Sequence, residues 1–297
     1  MPSSKEEIRP LLKLWAGLYN AAPKLYIPGT KFDVAFTILA VLFMTFLRFI
    51  NTYLYLDILN FDPSNPRTKY AIVCTSSAMH SLMLVPSLWS VLRDQPYKPS
   101  ASIASAPKYY QATVTALLQL CTGYMIYDFI FMIRDNGWAL HPDDIPFAAH
   151  HFVTVLYMSQ TRVLGAGHIS AMTLMWSGEF SNPLQNAHNV SRFAIQMMPL
   201  DTFWHAMHPY VELTFACVYC FMRAVVGPLQ IIHITYDLLT KEGRKNIPWW
   251  TIVLWIIMIW GIILGSIPWT IESYDMVMDG LDVKYTKDWD YGPRFEF

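Results

Sequence analysis

The side chains of this chain that could do chemistry are a few carboxylates and imidazoles that interrupt otherwise apolar segments. Such groups transfer protons or bind polar ligands, and each is costly inside a membrane, so each is a functional candidate. The set comprises Asp128, His150, His151, Glu179, His205, His208 and Glu212. The sequence therefore predicts a polar site built from residues of several segments.

The depth of these residues along their segments predicts that they share one layer. Asp128 lies five residues before the end of the third apolar segment at Ile133, roughly 7.5 Å deep at 1.5 Å per residue. The paired histidines open the fourth segment on that same side, and Glu179 closes the fifth. The last three residues of the set occupy the first turns of the sixth. Residues that enclose a polar chamber would be placed in this way.

The composition indicates what kind of protein carries this site. Hydrophobic residues make up 54% of the 297 residues and charged residues only 14%, whereas soluble domains carry roughly 25% charged residues. This excludes a disordered chain, a disulfide-stapled miniature protein and an ordinary soluble enzyme. A net charge of −1 offers no basic footprint for nucleic acid. The remaining class is a multi-pass membrane protein.

Seven apolar segments are candidates for membrane spans, because a helix needs about 20 apolar residues to cross a bilayer. They cover about 32–56, 71–92, 109–133, 147–164, 167–182, 203–228 and 249–271. The fourth and fifth are short and meet at the corner Gly165–Gly167. They could form a transmembrane hairpin or a re-entrant pair. We expect an all-α bundle of about seven transmembrane helices.

The segments divide the chain into four regions. We predict an N-terminal interfacial segment (1–31), a first transmembrane helix with its linker (32–69), a membrane domain (70–272) and an acidic soluble tail (273–297). In the first region, apolar residues recur at helical spacing. The excess of Lys and Arg on one side favours a cytosolic N-terminus and a luminal C-terminus.

A metal-dependent oxidase is a weaker interpretation. Membrane di-iron enzymes need about eight histidines in closely spaced boxes, whereas the only His-x-x-His here is His205–His208. We therefore expect neither a bound metal nor a bound cofactor. His80, in the middle of the second segment, is expected to be hydrogen-bonded to a neighbour.

Residues 123–189 carry a pattern that resembles the TLC-domain family, which includes the ceramide synthases and a set of smaller membrane proteins. Gly123-Tyr124-x-x-Tyr127-Asp128 ends one segment and His150-His151 opens the next. The following block matches the Glu-x-Ser-x-Pro-x-x-Asn of the smaller branch at Glu179, Ser181, Pro183 and Asn186. The resemblance spans about residues 70–272.

This resemblance implies a six-helix barrel around a fatty-acyl chain, inside the seven-helix bundle. Paired histidines belong to the ceramide-synthase active site, which uses acyl-CoA and an amine. Carried over, the catalytic residues are His150 and His151, with Asp128 or Glu179 as the carboxylate that fixes an imidazole tautomer. His205, His208 and Glu212 would then bind substrate. The two histidines are adjacent and point about 100° apart, so they cannot share one target directly.

Three functions stay open at this point. The ceramide synthases follow their histidines with His-Asp-x-x-Asp, where this chain reads Gly178-Glu179-Phe180-Ser181-Asn182. The protein could be an acyltransferase with acyl-CoA as a substrate, a non-catalytic protein that binds membrane lipids, or a structural subunit. A subunit would dock partners through the N-terminal segment and the C-terminal tail. We expect it in the endoplasmic reticulum or another endomembrane, with a mitochondrial membrane as the alternative.

Overall fold

The computed structural model describes residues 5–94, 97–198 and 200–283, and these residues form an all-helical protein. The α-helices are α1 (Lys5–Ala21), α2 (Ala35–Tyr53), α3 (Pro66–Asp94), α4 (Lys108–Asp135), α5 (Ile145–Leu164), α6 (His168–Glu179), α7 (Asn182–Met197), α8 (Thr202–Cys220), α9 (Gly227–Leu239), α10 (Lys241–Asn246), α11 (Trp249–Gly265) and α12 (Ile267–Val283). Short π-helical segments, Leu54–Ile58 and Phe221–Val226, prolong α2 and join α8 to α9.

The multi-pass helical prediction is confirmed. Five continuous helical stretches in the described part of the chain are long and apolar enough to cross a membrane: Ala35–Ile58, Pro66–Asp94, Lys108–Asp135, Thr202–Leu239 and Trp249–Leu281. They contain five of the seven predicted segments. The other two segments correspond to α5 and to the short α6, which has only 12 residues.

A sharp corner reverses the chain between α5 and α6. Gly165 and Gly167 both have positive φ angles, 61° and 79°. Residues that carry a Cβ atom rarely adopt this backbone conformation. The Gly165 carbonyl accepts a hydrogen bond from the Ile103 amide at 2.8 Å. A Cβ atom on Gly167 would collide with the Trp255 ring. The corner is therefore fixed both by conformation and by packing, and it holds α5 and α6 as a hairpin.

A second close approach joins α2 to α4. The Gln119 side-chain oxygen accepts from the Thr37 amide at 3.0 Å and from the Thr37 hydroxyl at 3.1 Å. This satisfies one of the amides that a helix N-terminus leaves without an intrahelical partner. One turn further along α4, a Cβ atom on Gly123 would lie 2.6 Å from both Ala40 Cβ and the Thr37 carbonyl oxygen. The two backbones thus touch at a position that only glycine fits.

Helix contacts form a closed circuit around the membrane domain. Going round it, α3 packs on α4, α4 on α5, α5 on α11, α11 on α12, α12 on α8, α8 on α7, and α7 on α3. The short α6 packs on α3 and α5, which belong to the circuit, and on α9. A hydrogen bond of 2.7 Å from Trp255 to Gln160 ties α11 to α5. The polar residues of interest lie on members of this circuit and on α6.

The predicted N-terminal helix is present as α1, and it packs against α3 and α4. Leu12 is fully buried in the main core, and the Trp15 indole donates to the Ser87 hydroxyl of α3 at 2.8 Å. Leu14 and Leu18 stay exposed on the other face. An apolar face that is exposed on one side and packed on the other is typical of a helix at the membrane surface.

At the other end of the chain, α12 continues past the predicted start of the soluble tail. It extends to Val283 and packs against α8, with Ser273 and Met276 buried. Residues 273–283 are therefore part of the helical fold. The rest of the predicted tail, residues 284–297, lies outside the described residues.

Asp33 anchors the connection between α1 and α2. Its carboxylate accepts hydrogen bonds from the amides of Leu25 and Ala35, both at 3.0 Å, and from the Tyr19 hydroxyl at 3.1 Å. Burial acts to raise the pKa of Asp33, but the two amides, with Tyr19 and Lys24, outweigh it and hold the pKa below its usual value. Burial and the nearby Asp33 charge raise the pKa of Tyr19 to about 12.

Replacing Asp33 with Ala should loosen this connection, because two amides lose their acceptor. We expect faster hydrogen exchange at the Leu25 and Ala35 amides, measured by mass spectrometry on the detergent-solubilised protein. A carboxylate with a depressed pKa stabilises the fold above its unfolded pKa and loses that effect as pH falls through the folded pKa. The same amides should therefore lose protection in acid. Asp62→Ala is the control, since the Asp62 carboxylate is hydrogen-bonded to the nearby Ser64 in an exposed loop. Unchanged exchange at Leu25 in Asp33→Ala would contradict this role.

Candidate functional site

The Asp128 and His151 side chains form an ion pair between α4 and α5. His151 Nε2 lies 2.9 Å from Asp128 Oδ2, and His151 Nδ1 lies 2.6 Å from the Phe147 carbonyl oxygen one turn earlier. A carbonyl oxygen only accepts, so Nδ1 carries a proton. Nε2 faces a carboxylate, so the pair is held together by a second proton between Nε2 and Asp128. Both nitrogens of His151 are therefore committed to acceptors, and His151 cannot take a proton from a substrate in this arrangement.

His150 is placed differently from its neighbour. Its side chain is exposed, and its ring is nearly perpendicular to the His151 ring, with centroids 5.8 Å apart. Arg223, on the π-helical segment after α8, and Asp128 are near enough for their charges to act on it. His150 is thus the accessible imidazole of the pair.

Glu179 is buried at the end of α6 and is bound to α3. Its Oε2 atom accepts from the Ser81 hydroxyl at 2.6 Å and from the Asn182 side-chain amide at 2.9 Å. The nearest imidazole contact is with His80 Nδ1, at 3.9 Å. Of the two carboxylates predicted to orient a catalytic histidine, Asp128 contacts His151, whereas Glu179 faces His80.

The prediction that His80 is hydrogen-bonded to a neighbour is wrong. His80 is fully buried, and neither ring nitrogen has a hydrogen-bond partner among the described residues. Its ring stacks on Tyr124 at 3.8 Å between centroids, with an interplanar angle of 11°. Stacking on α4 and the nearby Glu179 carboxylate, rather than a hydrogen bond, fix this ring.

The block Glu-x-Ser-x-Pro-x-x-Asn joins α6 and α7 to α3. Glu179 bonds Ser81, and the Asn186 side chain donates to the Ser77 hydroxyl at 3.1 Å. Ser77 also accepts from the Tyr124 hydroxyl at 2.8 Å. Pro183 opens α7, where a missing amide hydrogen costs nothing. The block therefore bonds to α3. The histidine pair lies on α5, and α4 packs between these two helices.

His208 and Glu212 belong to a separate cluster between α7 and α8. His208 Nε2 lies 3.2 Å from Glu212 Oε2, and the His208 ring stacks on His188 with centroids 5.3 Å apart. One ligand-type atom from each of these three residues lies within 4.8 Å of the other two. His205, one turn earlier on α8, is not a member of this convergent set in the described structure.

The structure thus distributes the single predicted layer over three groups. Asp128 and His151 pair between α4 and α5, Glu179 joins the α3 network, and His208 with Glu212 joins His188. Depth along a helix defines a plane but leaves the helix rotation free. The rotations decide which neighbours within that plane can touch.

Two residues of the candidate site were not among the predicted site residues: Arg223, and His80, for which only a structural hydrogen bond was expected. Arg223 reaches from the π-helical segment to the Gly178 carbonyl at 3.3 Å, and its Nε has no partner among the described residues. His80 lies beside Glu179, with its Nδ1 atom 3.9 Å from Glu179 Oε2. Both residues are ionisable and lie within apolar segments, and that alone would have identified them as candidates. Arg223 also lies in a π-helical segment, and such segments often occur at functional sites.

Replacing Glu179 with Ala should lower thermal stability, because the Asn182 amide would lose its acceptor and the Ser81 hydroxyl would keep only its longer hydrogen bond to the Ser77 carbonyl. The cost of such unsatisfied groups is about 1–3 kcal/mol. Thermal unfolding in detergent measures it, and Glu179→Gln, which keeps an acceptor oxygen, should recover part of the loss. Glu242→Ala is the matched control: its carboxylate pairs with Lys98 at the exposed surface, and we expect no resolvable shift. An equal shift in the two alanine variants would contradict the proposed anchoring.

Comparison with known proteins places this architecture in a family. Residues 70–273 match the family model of the TLC domain. The match begins in α3 and ends in α12, so it covers every helix of the closed circuit. No curated protein matches the chain.

Proposed function

Because the chain belongs to the TLC-domain family of membrane proteins, we propose that it is a histidine-dependent acyltransferase that acts on membrane lipids. The donor in this proposal is an acyl thioester such as acyl-CoA, and the acceptor is an amine or hydroxyl at the membrane surface. The proposed location is the endoplasmic reticulum or a related endomembrane.

The observation that carries the proposal is the unequal pair of histidines. His151 is locked between Asp128 and its own helix, whereas His150 is accessible beside it. Because His151 is bonded to Asp128 of α4 and to the Phe147 carbonyl, the turn of α5 that carries His150 is held in place. An accessible imidazole on a fixed turn is suited to general base catalysis.

In the proposed reaction, His150 takes a proton from the acceptor as the acceptor nitrogen or oxygen bonds to the thioester carbonyl carbon. The carbon–sulfur bond then breaks, and the leaving thiolate takes the proton from His150. In this proposal the positive charge of Arg223, which acts on His150, would also stabilise negative charge on the carbonyl oxygen during the attack. The Asp128–His151 pair holds the geometry and is not consumed.

The test is an acyl-transfer assay on protein purified in detergent. Wild type is incubated with an isotope-labelled acyl-CoA and either an amine or a lysolipid acceptor, and products are followed by mass spectrometry. We expect acylated product from wild type and from His233→Ala, whose histidine is exposed on α9. We expect none from the His150→Ala, His151→Ala double variant.

A non-catalytic lipid-binding protein is the second candidate, favoured by one observation. Three of the four candidate catalytic residues, namely Asp128, His151 and Glu179, are occupied by bonds within the protein. Wild type that makes no product but retains lipid in stoichiometric amount would support this function and overturn the acyltransferase. Wild type that retains neither and co-purifies with fixed subunits would support a structural role instead.

A further inference from the structure

The cluster between α7 and α8 has the donor set of a metal site. His188 and His208 offer ring nitrogens and Glu212 offers a carboxylate oxygen, all within 4.8 Å of one another. The His188 and His208 side chains are buried, and the Glu212 side chain is 12% exposed. Two histidines and one carboxylate form a common protein ligand set for Zn²⁺.

The hydrogen bonds of Ser191 fix which nitrogen of His208 carries a proton. The Ser191 hydroxyl donates its only hydrogen to the His188 carbonyl oxygen at 2.8 Å. It must then accept from His208 Nδ1, which lies 2.9 Å away. Nδ1 is therefore protonated, and Nε2 of the neutral ring presents a lone pair.

That lone pair points at another acceptor. His208 Nε2 lies 3.2 Å from Glu212 Oε2, so two electron-rich atoms face each other unless a proton or a cation lies between them. In tetrahedral zinc sites, metal–ligand distances of about 2.0–2.2 Å place two ligand atoms about 3.3–3.6 Å apart. The observed separation suits a shared metal ion as well as it suits a hydrogen bond.

His188 distinguishes the two possibilities. It is 3% exposed, and its Nδ1 has no hydrogen-bond partner among the described residues. A simple His208–Glu212 ion pair leaves this buried nitrogen unsatisfied, which is costly. A metal ion bound through His188 Nδ1 would satisfy it.

We propose that His188, His208 and Glu212 bind Zn²⁺, with Ser191 orienting the His208 ring. This replaces the expectation from sequence that the chain binds no metal and that His208 and Glu212 contact substrate. Three protein ligands leave a fourth position open for water or for a lipid oxygen. Arg192 lies near enough for its charge to act on Glu212.

The test is metal binding by protein purified in detergent through an affinity tag free of histidine. After treatment with a chelator and dialysis against Zn²⁺, wild type should retain one zinc per chain by mass spectrometry of the metal content. Its midpoint of thermal unfolding should rise with Zn²⁺ concentration, because a ligand bound to the folded state stabilises it. Co²⁺ in place of Zn²⁺ should give the visible absorption of a tetrahedral site.

Three variants make the result specific. His188→Ala, His208→Ala and Glu212→Gln should each lose retained zinc and the zinc-dependent thermal shift, whereas His205→Ala, on the same helix, should keep both. If His208→Ala fails to fold, His188→Ala and Glu212→Gln decide the matter. Wild type without retained zinc or thermal shift would overturn the proposal, and so would unchanged binding in His188→Ala. These measurements do not depend on acyl transfer, so the two proposals can fail separately.

Discussion

Replacing His150 with Ala should reduce acyl transfer by about 10²–10⁴-fold, the usual contribution of a general base. The thermal unfolding midpoint should stay close to that of wild type, since the His150 side chain is exposed and its described contact is a ring edge against His151. The measurement is the initial rate of product formation at saturating acyl-CoA. Retained activity in this variant would remove His150 from the reaction.

His151→Ala is the informative comparison for this prediction. It removes the partner of Asp128 and leaves that carboxylate in a partly buried position without its imidazole. We therefore expect both a lower unfolding midpoint and a lower rate. If His151→Ala loses activity with an unchanged midpoint, while His150→Ala is active, the roles of the two histidines are the reverse of those proposed.

Replacing Gly123 with Val should be the most destabilising of the single substitutions considered. A Cβ atom there would lie 2.6 Å from the Thr37 carbonyl oxygen, which is backbone and cannot rotate away. Overpacking of this kind typically costs about 1–3 kcal/mol, and separating α2 from α4 would also break the two hydrogen bonds to Gln119. The thermal unfolding midpoint in detergent should fall by several degrees.

Gly261→Ala is the matched control for Gly123. Gly261 lies inside α11, and its added Cβ would meet nothing within 4 Å among the described atoms. We expect an unfolding midpoint close to that of wild type for this variant. A Gly123→Val protein as stable as wild type would show that α2 and α4 can separate without cost, contrary to the close approach in the structure.

The helical membrane fold could be predicted because it depends on local composition and length. Apolar runs of about 20 residues can only satisfy their backbone within a helix inside a bilayer, so five of the segments appear as predicted. The pair α5 and α6 could not be assigned in this way, since a 12-residue helix is too short for hydropathy to decide. The positive φ angles of Gly165 and Gly167, together with contacts to Ile103 and Trp255, determine that pair.

For the candidate site, the sequence indicates which residues are candidates better than it indicates which of them are in contact. Intramembrane charge identified Asp128 and the paired histidines, and the same rule applied evenly would have included Arg223 and His80. The bonds between them were not predictable, because each depends on how far a helix rotates about its axis. The stacking of His80 on Tyr124 is one outcome of that rotation.

The sequence by itself determined that this is a helical membrane protein, and it predicted ionisable residues at one depth and two histidines pointing about 100° apart. Composition, the length of apolar runs and the helical repeat suffice for these conclusions. Only the tertiary structure decided that His151 turns to Asp128 while His150 stays accessible, and that His208 and Glu212 meet His188. The physical reason is that packing between helices fixes their rotation, and a single sequence carries no direct record of those contacts.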